Sequence, residues 1–116
     1  MCAAGAKLKG VCNTPAGSKS LFKDGCFDMD ESDIAAFPNI TLGITAGGLN
    51  MPPSTYLRAG DPRSKGSTKL CFGIRDTGAS GFLIIGDTTM ENYYVAFDRA
   101  QGRIGSAQRT DLCGSV

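Results

Sequence analysis

Apolar residues in this chain come in short runs, each ended by glycine or a polar cluster. NITLGIT (39–45), KLCFGI (69–74), GFLIIG (81–86) and NYYVAFD (92–98) span six or seven residues apiece. Runs of that length, rich in β-branched and aromatic side chains, read as strands rather than helices. The turn chemistry agrees. Gly47-Gly48 turns the first run back, and 99–102 (RAQG) leads into a last short strand at 103–108. Pro52 and Pro53 make 51–57 an edge or lead-in segment, and 58–68 reads as a polar surface loop. DTTME (87–91) has room for one helical turn. The expected fold class is therefore all-β with short helical turns only.

At 116 residues the chain is expected to be a single domain overall, burying roughly two-thirds of its unfolded surface. Residues 1–33 read as an irregular, Cys-containing N-terminal segment, with at most a short helix near residues 3–8. Residues 34–116 read as the β-rich portion. The N-terminus lacks the layout of a secretory signal, so Met1 is expected to be an imposed start.

Composition narrows the chemistry. Histidine is absent, which removes Ser-His-Asp and Cys-His catalysis and every His-ligated metal site. Twelve Lys and Arg against eleven Asp and Glu give a net charge of +1 without a dense basic block, so no nucleic-acid surface is expected. No apolar run approaches the ~20 residues of a membrane-spanning helix. The five cysteines lack Cys-x-x-Cys spacing, leaving disulfides or buried thiols as readings, and disulfides imply an oxidising compartment. No metal and no cofactor is expected.

The order of the pieces then carries a resemblance. FPNITLGI (37–44), PPSTYL (52–57), the lone Cys71, FLIIGD (82–87) and YYVAFDRAQGRIGSA (93–107) follow one another as in the C-terminal lobe of the pepsin-like aspartic endopeptidases, of pepsin, cathepsin D, memapsin and plasmepsin type. The chain resembles part of that lobe of the bilobal acid-protease fold. Ser106 departs from the pattern, standing where the family usually has an aromatic or large apolar residue. The resemblance implies a Cys26–Cys71 disulfide. A second disulfide, Cys12 with Cys113, is one possibility; Cys2 or a cysteine outside this chain are equally open partners for Cys113, and the sequence does not choose among them.

Asp76-Thr77-Gly78 spells the catalytic triplet of such enzymes, but the position is wrong. In the family an apolar-apolar-Gly segment far downstream threads beside each catalytic loop. Ile84, Ile85, Gly86 and Asp87 fit that threading role, with glycine at the close approach of two backbones. Asp76 precedes Gly86 by only ten positions, too few for a loop, several strands and a return. Arg75, moreover, stands where a buried apolar residue is expected, and a guanidinium would hold the neighbouring carboxylate ionised. Asp76 thus reads as part of a solvated turn, and neither catalytic aspartate lies in this chain.

The resemblance implies peptide or protein substrates and a secretory, extracellular or acidic-vesicle location. It makes the N-terminal remainder of the same protease the natural partner. Cut from that partner, the chain is expected to be inactive and to self-associate. Ile74 and Ile84 are candidate substrate-pocket walls, with lobe core as the equal alternative. Asn39-Ile40-Thr41 is a glycosylation sequon at an expected strand start. DMDESD (28–33) lacks the glycine and terminal glutamate of a calcium loop and reads as solvated. Two other functions stay open: a non-catalytic pepsin-like binding or inhibitor module, and a retroviral-type homodimeric protease using Asp76.

Overall fold

Alternation, glycine pairs and prolines set most element boundaries in the computed structural model, which describes residue 2 and residues 7–12, 14–44, 47–60, 69–78 and 81–109. A 3-10 turn at Leu21–Lys23 leads to strand β1 (Cys26–Asp28) and helix α1 (Glu31–Ala35). Strands β2 (Ile40–Ile44) and β3 (Gly47–Met51) follow, then the single turn α2 (Pro53–Tyr56) and strand β4 (Leu57–Ala59). Strand β5 (Lys69–Phe72), the turn α3 (Asp87–Met90) and strands β6 (Tyr93–Asp98) and β7 (Arg103–Gln108) are the last of the described elements. The protein is all-β, with helical pieces of at most five residues among the described residues.

The 99–102 turn forms as read, whereas Gly47 and Gly48, read as the turn of the first hairpin, lie in strand β3 opposite Ile44 and Gly43. Strands β2 and β3 pair antiparallel from Ile40 opposite Met51 to Ile44 opposite Gly47. Strands β6 and β7 pair from Tyr93 opposite Gln108 to Asp98 opposite Arg103. Their connection needs a left-handed residue, which Gly102 supplies at φ +61. Asp98 locks it, accepting from Gln101 N at 3.2 Å and from Arg103 Nε at 2.9 Å. Pro52 and Pro53 begin α2, whose missing N–H groups fall where a helix leaves donors unpaired.

The third sheet has the order β1-β5-β4, all antiparallel. Cys26 and Cys71 are register partners in it and are disulfide-bonded, with Cα atoms 4.3 Å apart. That separation belongs to the closely spaced, non-hydrogen-bonded pairs of an antiparallel ladder. Against the sheet lies the core, where Leu21, Met51 and Tyr56 are each 1% exposed. The Tyr56 hydroxyl donates to Pro38 O at 2.6 Å, tying α2 to the chain entering β2.

Three expectations need correction. The segment read as irregular contains the 3-10 turn, β1 and the start of α1. Strand β1 exists because β5, 45 positions away at the disulfide, pairs with it. Local composition carries no trace of such a partner. Cys12 bonds Cys2 rather than Cys113, because the chain turns back through Val11 N and Cys12 N onto Leu8 O. Cys113 itself lies outside the described residues, as do most of the helix expected near 3–8 and most of the loop at 58–68. Finally, residues 81–86, read as a strand, form none.

The acidic loop has a local purpose. Asp30 caps α1, its Oδ1 accepting from Asp33 N at 2.8 Å and from the Ser32 hydroxyl at 2.7 Å, while Asp33 Oδ2 accepts from Asp30 N. This reciprocal box satisfies helix-end donors. The bond from the Asp33 N–H, then that from Ser32, holds the Asp30 carboxyl below the usual carboxylate range. A carboxyl depressed on folding stabilises above its unfolded value, and that contribution fades as pH falls through the unfolded toward the folded value. Asp30→Ala is therefore expected to lower the urea midpoint at neutral pH. The gap from the native chain should close on acidification, and a gap constant with pH would refute the capping role.

Candidate functional site

Beyond Phe72 the chain leaves β5 and runs beside α3. Gly73 N donates to Tyr56 O at 2.7 Å, the Thr88 hydroxyl donates to Gly73 O at 3.0 Å, and the Thr89 hydroxyl reaches Met51 Sδ at 3.2 Å. These contacts dock α3 against the core and leave an open cleft of about 560 Å3 beside it. Phe22, Phe72, Ile74, Asp76, Ile84 and Asp87 line this cleft. Phe22 and Phe72 meet edge to face, their centroids 4.8 Å apart.

Asp76 sits at the rim. Its Oδ1 accepts from Gly78 N at 2.8 Å, closing a turn in which Gly78 has φ +72. This is the local side-chain-to-backbone bond that makes aspartate a turn former. Asp76 is exposed, and Arg75 beside it points to Asp24 at 2.8 Å, with the two side chains 78% and 63% exposed. Asp87 lines the same cleft but is also exposed, in the first turn of α3. A proton-sharing pair of aspartates works as two carboxyls some 3 Å apart, shielded from bulk water. Two solvated carboxyls, one engaged by its own turn, lack that shielding.

The two wall candidates share the cleft but differ in setting. Ile74 is half-buried and packs against the core, whereas Ile84 is 74% exposed. The neighbours of Ile84 stand open too, Phe82 at 66%, Leu83 at 64% and Ile85 at 40%. A Cβ added at Gly86 would meet nothing within 4 Å, so the close backbone approach expected there is not made among the described residues. Among the described residues, no segment lies there for the run to thread beside.

A second, smaller groove of about 260 Å3 opens between the two hairpins, among Ile44, Leu49, Tyr93, Val95, Ile104 and Ser106. The short hydroxyl of Ser106 leaves space where a larger side chain would fill it, as the sequence leads one to expect. Tyr93 spans the gap at one end, its hydroxyl donating to Asn50 O at 3.1 Å. Arg58 on β4 forks onto Glu91 just past α3, with Nη2 to Oε1 at 3.0 Å, and this bond holds the Glu91 carboxyl below its ordinary range. Both side chains are about half exposed, so solvent limits the pair to about 0.5 kcal/mol.

Sequence reading missed the part that the N-terminal third plays in this cleft. Phe22 arrives there from the segment taken as irregular. The signal available was Leu21-Phe22, an apolar pair separated by Lys23-Asp24 from the Gly25-Cys26 step.

Residues 8–109 match the family description "eukaryotic aspartyl protease". Aspartyl protease family protein 2 of Arabidopsis thaliana is 31% identical over 88 residues, covering 76% of this chain and 17% of the plant protein. Pepsin A of Gallus gallus is 31% identical over 101 residues, 84% of this chain and 25% of the pepsin. Pepsin B of Canis lupus familiaris is 28% identical over 85 residues, 73% and 22% of the respective lengths. The chain thus spans about a sixth to a quarter of these relatives.

Proposed function

Since the chain belongs to the eukaryotic aspartyl protease family, we propose that it is the C-terminal-lobe portion of an aspartic endopeptidase of the secretory pathway. In the intact enzyme two facing aspartates hold one water against the scissile peptide carbonyl. One takes the water's proton while the other, protonated, donates to the carbonyl oxygen. Both aspartates come from chain outside these 116 residues. The two titrate as a coupled pair, so the chemistry needs both lobes at once. This portion supplies scaffold and, through Ile74 and Ile84, part of the peptide-binding wall. Its threading run, Ile84 to Asp87, lies beside a catalytic loop in the parent protein.

The observation that carries this reading is the open apolar run from Phe82 to Ile85. Four consecutive large apolar side chains are not left in water by a self-sufficient domain, because each forgoes about 1.5–3 kcal/mol of burial. Two disulfides favour an oxidising compartment, extracellular or vesicular.

Two results are expected of the purified 116-residue chain. It cleaves no acid-unfolded protein at acid pH, and it sediments as a dimer or larger species through its uncovered apolar surface. Acid proteolysis abolished by Asp76→Asn would overturn the reading in favour of a homodimeric enzyme. A clean monomer at high concentration would remove the assembly claim.

A further inference from the structure

Asn39-Ile40-Thr41 is the sequence's one Asn-x-Ser/Thr with a permissive middle residue, since Pro15 follows Asn13-Thr14 and neither Asn50 nor Asn92 has Ser or Thr two positions on. From its geometry we propose that Asn39 carries an N-linked oligosaccharide. Phe37 is buried, and Ile40 and Leu42 pack against the core, so this stretch is pinned from inside at both ends of the sequon. In extended chain, residues two apart share a face. Asn39 and Thr41 therefore both turn outward, and both are exposed. Asn39 lies one residue before β2. The bond from the Tyr56 hydroxyl to Pro38 O fixes the backbone at the preceding residue. Leu42, which lines the large cleft, is on the opposite face, so a glycan at Asn39 leaves that cleft open.

The group transferred is an oligosaccharide borne on a lipid pyrophosphate, supplied in the secretory pathway. The Asn39 amide nitrogen attacks the anomeric carbon of the first sugar. A C–N bond forms, the bond from that carbon to the pyrophosphate oxygen breaks, and the amide gives up one proton as the lipid pyrophosphate departs. No oxidant or reductant enters.

The test places the full chain behind a secretion leader in a yeast host, which supplies the compartment whatever the parent's own location. Masses are read on denatured protein, secreted and cell-retained alike, so a variant that folds poorly still reports. The native chain and Thr41→Ser are expected to carry a mass excess removed by peptide N-glycosidase, with Asn39 read as Asp afterwards. Asn39→Gln and Thr41→Ala are expected to lack it. A native chain at its unmodified mass, or an excess that survives in Asn39→Gln, would overturn the assignment. Either result leaves the protease reading to its own tests.

Discussion

Replacing Cys26 and Cys71 together by alanine is expected to lower the unfolding free energy by about 4 kcal/mol, the chain-entropy figure for a loop of 45 positions. The location of the bond argues for the full figure. It joins directly opposed residues of β1 and β5, and β1 is only three residues long. So short a strand has too few ladder bonds to hold itself in register against the loss of chain entropy. Without the link β1 is expected to leave the sheet, and β5 then retains β4 alone as a neighbour. The 3-10 turn is expected to loosen with it, because Gly25 N bonds Ser20 O immediately before β1. Native domains hold about 5–15 kcal/mol of stability, so such a loss removes roughly a quarter to four-fifths of it. Urea unfolding of the native and doubly substituted chains measures the difference. A loss under 1 kcal/mol would mean that β1 is held by packing alone.

The second large effect lies at Gly86 and depends on context. In the isolated chain Gly86→Ala is expected to leave the unfolding midpoint nearly unchanged, within about 0.5 kcal/mol of the native value. Its backbone, at φ −114 and ψ −161, is open to any residue, and an added methyl group would meet nothing within 4 Å. In the intact protease the same substitution is expected to cut kcat/KM about a hundredfold, because a catalytic loop displaced by ~1 Å loses its alignment. The contrast between the two contexts is the informative quantity. Equal harm in both would place the close neighbour of Gly86 inside this chain. Harm in neither would end the threading role.

How much of this was legible in the sequence depended on whether the signal was local. Strands β2 and β3 announce themselves through alternation, although the Gly47-Gly48 pair read as their turn falls in β3, and β6 and β7 through Asp98 and Gly102. The single turn of α3 was readable from Asp87 to Glu91 for the same reason. Strand β1 was not, because Cys-Phe-Asp becomes a strand only when β5 arrives from 45 positions away. The capping box at Asp30 and Asp33 was readable in principle from its three-residue spacing before Ile34, yet an acidic cluster looks solvated until its donors are seen. The run from Phe82 to Ile85 failed in the opposite direction. Its pattern is that of a strand, but no pairing partner is present among the described residues, and pairing is what makes a strand. At the cleft, the turn formed by Asp76 agrees with the reading of its neighbours Arg75 and Gly78, whereas the arrival of Phe22 needed the folded chain.

The most direct test of the central claim is Asp76→Asn in the intact protease, assayed on a peptide substrate at acid pH. A carboxyl engaged in its own exposed turn takes no part in activating water, so kcat/KM is expected to stay within about threefold of the native enzyme. A fall of several orders of magnitude would make Asp76 a reacting group and contradict the account.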